Sequence, residues 1–472
     1  MTWFLILACT SSDTSTTGDS GTATDSASVT DSTTGGTDSG DTDTVQVSGA
    51  LTGVAGTEPV TTAVVTATLD AEASLTLLCE GETDSSVPEI LVWTSAAPAT
   101  DHQAAIPGLL ADTTYTCSAH GQPQVTTTTF TTGPIPQRIL DHGIVLGSWD
   151  DSAELGWALL APFQFVTSNS QAEIFLVVVD MAGQIRWYLE PGSPDGILAF
   201  DYNAEDRLFW AGGGLVTSHR PHRYDEMAAT VDSVSTECDH DADWFGDSVY
   251  SFTRGTGKFC IEQRRWADDS LVWDVCGDEL GYPDLKLNSL DVLEVDGSVR
   301  ITAGSASDAI VVSIDRDSEQ VMWEFTPTGD FNGVDTFSYN HDVNTMHCDG
   351  YDLCLMYLDN GKEVEHSQAI LWGLDESTMT ATKVRAWEDE GWYEERMGSV
   401  QVLEEGNWFV GRGHLEHLSP GGPASSVVEV DDAGDIVWQL DMGDPDRTTY
   451  RARKVPACDL FFHAGYCPEL TP

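Results

Sequence analysis

Positive charge is scarce in this chain. Its 472 residues hold 21 Lys and Arg against 77 Asp and Glu, a formal charge of −56 at pH 7. A nucleic-acid partner is not expected on that balance, because phosphate binding needs Lys and Arg on the facing surface. Long apolar runs are missing as well: no segment reaches the ~18 apolar residues of a membrane-spanning helix. The ten cysteines include no CxxC pair, which leaves zinc ribbons and thioredoxin motifs without support. Basic residues are absent from the first 50 positions, and the seven acids there are all Asp. The strong negative charge therefore belongs to the folded part, where it favours solubility and self-repulsion.

Residues 10–44 are Ser, Thr, Asp and Gly with almost nothing apolar. Such a stretch cannot bury a core and is expected to be a disordered spacer. Before it stands MTWFLILAC, residues 1–9. This segment resembles the lipobox of a bacterial lipoprotein, shortened and without a basic leader. The resemblance implies lipidation at Cys9, with the spacer as a leash and any membrane link confined to that anchor.

From Gln46 the pattern alternates as strands do, in VTTAVVTATLD and SLTLLCEG. The run Leu110-Ala111-Asp112-Thr113-Thr114-Tyr115 resembles the corner before the sixth strand of a fibronectin type III or related immunoglobulin-like sandwich. A sandwich over 46–133 is implied, with Cys79 paired to Cys117, and Gly133-Pro134-Ile135-Pro136 as the boundary.

Beyond the boundary a unit of roughly 40 to 55 residues recurs, the range of four-stranded propeller blades. Its clearest copy is YNHDVNTMHCDGYDLCLMYLDNG, residues 339–361. A His341-Asp342 pair leads into a strand, a turn at Cys348-Asp349-Gly350 and the apolar run Leu353–Leu358. His240-Asp241, Asn288-Ser289 and Gly398-Ser399 lead similar hairpins. Further strands end in Trp187, Trp273, Trp323, Trp387 and Trp438, several of them preceded by an Asp and a turn. The expected fold is all-β: a six-bladed propeller over 141–472, behind the sandwich and the spacer. Cys348 and Cys354, Cys260 and Cys276, and Cys458 and Cys467 read as hairpin or tail staples in an oxidising compartment, with Cys238 left over.

These segments, in this order, resemble the arylsulfotransferase family of exported six-bladed propellers. The resemblance implies a sulfurylated histidine at His341, a second site histidine at His240, and sulfate contacts from Asn288 and from Lys286, which stands where the family has a histidine. Family arginines fall near Ala306 and on Gln368, so two cationic contacts are lost. The implied reaction moves sulfate from phenolic sulfate esters to phenols without a nucleotide or other cofactor, in the periplasm or at the bacterial outer membrane or cell surface. The alternative is a non-catalytic surface propeller that binds a protein or glycan, each His-Asp pair then being a structural bridge.

Three other patterns compete for attention. Asp239, Asp241 and Asp243 resemble half a calcium loop, but Trp244 stands where an EF-type loop needs Gly and Tyr250 where it needs Glu, so no metal is expected. His219, Arg220, His222 and Arg223 form the densest basic cluster, either an anion site or a salt-bridged loop. His414 and His417 have the spacing of a metal pair without a third ligand.

Overall fold

A computed structural model describes residues 46–83, 87–120, 126–164, 175–190, 197–213, 220–254, 259–413, 415, 425–443 and 447–470. Cys9, the spacer, His219, His414 and His417 lie outside them.

Residues 46–133 form two antiparallel sheets packed face to face. One holds Thr52–Ala55, Ala63–Ala73 and Ala99–Ile106; the other orders Ile90–Thr94, Thr76–Gly81, Thr114–His120 and Thr127–Thr131 side by side. Alternation selects the core: Ala63, Val65, Ala67 and Leu69 point inward, opposite Leu77, Cys79, Tyr115 and Cys117. Cys79 and Cys117 are disulfide-bonded, directly opposite each other on neighbouring strands of one sheet. The Tyr115 hydroxyl accepts the Leu110 N–H at 2.7 Å, tying the start of its strand back to the chain five residues upstream.

Six antiparallel sheets follow among the described residues. Sheet one joins both ends of this region, with Arg447–Pro456 beside Gly156–Gln164, then Leu176–Val179 and Ile185–Leu189. Sheets two to five are consecutive four-stranded meanders starting at Ala199–Asn203, Ala242–Phe245, Ser289–Val295 and Asn340–Met346. Sheet six starts at Ser399–Val402 and gains a fifth strand, Ile144–Trp149, which covers the outer edge of Ile436–Met442. The first strands touch their neighbours in order, and Arg447–Pro456 touches both Ser399–Val402 and Ala199–Asn203, so the ring is closed. Middle strands are covered on both faces by adjacent sheets. Leu353–Asp359 and Ser425–Val430 are accordingly buried at every position, which is why Leu353–Leu358 reads as an unbroken apolar run rather than an alternating one.

Two sets of side chains stitch neighbouring sheets together. Around the centre, side chains in or just before a first strand accept backbone N–H groups of the following first strand: Asp241 from Leu290 (2.8 Å), Asp243 from Val292 (2.7 Å), Asp291 from Thr345 (2.8 Å), Asp342 from Val400 (2.8 Å), Ser399 from Ala452 (2.9 Å) and Gln401 from Lys454 (2.8 Å). On the outside, the tryptophans that close the fourth strands donate their indole N–H to the last turn of the next sheet. Trp187 reaches the Glu226 carbonyl, Trp273 and Trp323 the carboxylates of Glu319 and Glu376, Trp387 the Gly434 carbonyl and Trp438 the Met181 carbonyl. Those turns are pre-shaped by an aspartate: Asp180, Asp225 and Asp431 each accept two N–H groups within the following four residues. The fourth strand of sheet two, Thr230–Ser233, has no Trp. There Arg223 bonds Asp232 and stacks over Trp244 (4.9 Å) and Trp266 (4.8 Å), so this part of the basic cluster serves packing.

Among the described residues there are four disulfides, with Cys260–Cys276, Cys348–Cys354 and Cys458–Cys467 joining Cys79–Cys117, and Cys238 is a buried free thiol. This fits an oxidising compartment. No helix among the described residues is long and apolar enough to cross a membrane.

Candidate functional site

The His-Asp segments stand at the entry ends of first strands three and five. Their backbone is unusual: His240 (φ +66°), Tyr339 (φ +65°) and Asp342 (φ +52°) are non-glycine residues in the left-handed region. Such conformations persist where surrounding structure imposes them, commonly at functional sites. A bulge between His341 and Asn344 redirects the strand. It lets Asp342 reach across the ring while His341 stays against the second strand of its own sheet.

His341 is buried, 6% exposed. Its Nδ1 lies 2.6 Å from Asn360 Oδ1, and the Asn360 amide is oriented by donation from Nδ2 to the Met397 carbonyl at 2.9 Å. An amide oxygen only accepts, so Nδ1 carries the proton and Nε2 keeps its lone pair. Among the described residues, only a long contact from the Met397 N–H, 3.4 Å, reaches that lone pair. Burial holds the imidazole down at about 4, with Asn360 and the Tyr339 backbone opposing the shift and His240 and Arg451 adding to it. His341 is thus a neutral base with a fixed tautomer.

His240 Nδ1 sits 2.6 Å from Asp239 Oδ1. Tyr450, on the last strand of the chain, lies edge-on to both imidazoles, with ring centroids 6.5 Å from His240 and 6.0 Å from His341. Its buried hydroxyl has no hydrogen-bond partner among the described residues, nor has the side-chain amide of Asn340 beside His341. Burial raises the Tyr450 phenol, which stays protonated and able to donate.

The two aspartates hold the floor. Arg451 binds Asp241 through both terminal nitrogens (2.6 and 2.8 Å), and Arg453 binds Asp342 likewise (2.8 and 2.7 Å). Arg451 Nε also lies 2.9 Å from Asp342 Oδ1. Burial alone would raise Asp342; the two arginines overcome it and bring it down to about 2. Two cations against two carboxylates leave this cluster close to neutral.

The other residues named from sequence take different places. Asn288 is buried with both amide atoms engaged: Nδ2 donates to the Asn340 carbonyl (3.0 Å), and Oδ1 accepts the Ala306 N–H (3.1 Å). It braces the strand that presents His341. Lys286 is exposed two residues earlier, and no described contact joins its ammonium to either imidazole. Gln368 donates to Asp359 at 3.3 Å. Tyr450, Arg451, Arg453 and the pairing role of Asn360 went unrecognised in the sequence. The one available signal was RTTYRARKVP, an alternating strand with arginines two apart in a chain poor in them. Among the described residues, no group of three or more His, Cys, Asp or Glu is arranged to hold a metal ion.

Fold and site together define a β-propeller protein with a buried, histidine-centred polar cluster where its first strands converge. No family model matches the chain, and no curated protein does. Among solved structures, it is similar to a protein of unknown function from Bacteroides caccae (11% identity, 64% of this chain and 99% of that one, TM-score 0.44). It is similar also to TolB from Acinetobacter baumannii (11%, 73% and 81%, TM-score 0.41) and to a Myceliophteria thermophila β-propeller domain (8%, 57% and 80%, TM-score 0.37). At such identities and scores, nothing about chemistry passes from these proteins to this one.

Proposed function

We propose that this protein is an exported arylsulfotransferase-like propeller of six blades, one per sheet, in which His341 carries a sulfuryl group from a phenolic sulfate ester to a phenol. The observation that supports the reading is the state of His341: neutral, its tautomer fixed by Asn360, its Nε2 lone pair almost unengaged. That is what a nucleophilic imidazole requires. In the first half-reaction, Nε2 attacks sulfur, the S–O bond to the ring breaks, and the phenolate leaves with the electron pair. His240, held through Nδ1 by Asp239 on the other side of Tyr450, protonates it. In the second half, the acceptor phenol gives its proton to His240 as its oxygen takes the sulfuryl group from Nε2.

Sulfate oxygens need donors. The Tyr450 hydroxyl and the Asn340 amide, without partners among the described residues, are closest in kind. A fibronectin type III-like module over 46–133, supported by its strand order and the Tyr115 bond, carries the propeller on a leash lipidated at Cys9. The test is release of nitrophenolate from 4-nitrophenyl sulfate with and without a phenol acceptor. Turnover stimulated by acceptor and abolished in His341→Ala is expected; no turnover, or equal turnover in the variant, overturns the proposal.

A further inference from the structure

A cleft of about 400 Å³ opens between the sandwich and sheet two, a size suited to small ligands and at a domain junction where such sites concentrate. Trp93 of the sandwich forms one wall, and Phe461 and Phe462 of the C-terminal loop form another. Arg207 and Glu226 supply its charged groups.

This loop is held in an unfavourable shape. Phe461 (φ +62°) and Phe462 (φ +45°) are consecutive non-glycine residues in the left-handed region. The Cys458–Cys467 disulfide closes the loop, and two backbone bonds dock it on the sandwich: Val92 N–H to the Phe462 carbonyl (3.0 Å) and Ala464 N–H to the Ile90 carbonyl (2.8 Å). Strain maintained by so many constraints is characteristic of ligand clamps.

The charged pair is equally fixed. Arg207 lies flat on Phe462, 3.6 Å from the ring centroid, and pairs with Glu226 through one terminal nitrogen. Tyr202 donates to the other Glu226 oxygen at 2.8 Å, and Trp187 secures the Glu226 carbonyl. Arg207 Nε and its second terminal nitrogen have no described protein partner, and 31% of the side chain is exposed. The cleft thus offers spare donors next to a spare carboxylate lone pair, with no net charge. An anionic ligand would meet Glu226 and a cationic one Arg207. Neighbouring hydroxyls, each both donor and acceptor, match the pair, and the apolar face of a sugar ring matches the indole.

We propose that this cleft binds a neutral pyranose sugar, its hydroxyls bridging Arg207 and Glu226 and its ring face against Trp93. The test uses full-length protein and ligand-observed saturation-transfer NMR. The probes are the methyl pyranosides of glucose, galactose and mannose, with glucuronate and glucosamine as charged counterparts. At least one neutral glycoside is expected to show transfer strongest at its ring C–H protons. Affinity should fall about ten-fold or more in Trp93→Ala and in Arg207→Gln. Arg207→Gln serves if Trp93→Ala does not fold. Absence of binding by all three neutral probes, stronger binding of a charged one, or unchanged binding in a folded variant overturns the proposal.

Discussion

Replacing Glu89 by alanine removes the carboxylate on which the joint between sandwich and propeller is built. Glu89 is 4% exposed. Its Oε1 accepts from Arg186 (2.7 Å) and from the Tyr115 hydroxyl (2.6 Å), and Oε2 lies 2.9 Å from His463 Nε2. Arg186 is itself buried and holds Asp180 at 2.7 Å, so one side chain of the sandwich fixes two segments of the propeller. Burial alone would raise the Glu89 carboxyl; Arg186 and His463 outweigh it and bring it from 4.5 to about 2. A carboxylate depressed in this way contributes stability that is complete above 4.5 and lost as pH falls through about 2. Its full worth is about 3 kcal/mol, falling to about 1.5 kcal/mol at pH 3. Breaking a buried pair from one side costs a similar 3–5 kcal/mol or so, because the abandoned charge stays buried. Glu89→Ala should therefore lower the first guanidinium unfolding transition by about 3–5 kcal/mol at pH 7, and the gap to the unsubstituted protein should narrow by about half at pH 3. A cost below about 1 kcal/mol at pH 7, or a gap independent of pH, would refute the reasoning.

Three further outcomes are expected. Trp323→Phe keeps the aromatic ring but removes the bond to the Glu376 carboxylate, so chemical denaturation should show a loss of about 1.5–3 kcal/mol. Cys260→Ser with Cys276→Ser opens a 16-residue closure, and thermal and denaturant unfolding should register a loss of about 3 kcal/mol. The His341 ring nitrogens should give the neutral, Nδ1-protonated signature in ¹⁵N NMR down to pH 5. Because the unfolded chain binds this proton more readily, the stability it contributes rises with pH between about 4 and 6.5; titration near 6.5 would contradict the burial argument.

The repeat was legible in the sequence because its parts are local. An aspartate that caps a turn and a tryptophan that closes the following strand lie within a dozen residues of one another, as Asp180 with Trp187 and Asp431 with Trp438. Cysteine pairing was legible for a similar reason, three of the four bonds spanning 16 residues or fewer. Residues coupled through ring closure were not. Tyr450, Arg451 and Arg453 reach His341 and Asp342 across about a hundred residues, and only the docking of the final strand beside the first sheet and against Ser399–Val402 brings them there. Glu89 and Arg186 are hidden in the same way, since a buried ion pair between domains looks like two ordinary surface charges until both partners are placed. Asn288 shows the converse: its position next to His341 follows from the motif, while its work bracing the Asn340 carbonyl follows from geometry alone.

The bond proposed between His341 Nε2 and sulfur is tested most directly by the mass of the peptide that carries His341. Protein mixed with 4-nitrophenyl sulfate, quenched in base without acceptor and digested, should yield the His341 peptide with one added sulfuryl group, which disappears when a phenol is supplied before the quench. An unmodified peptide under conditions where nitrophenolate is released, or the label on any other residue, would contradict the account.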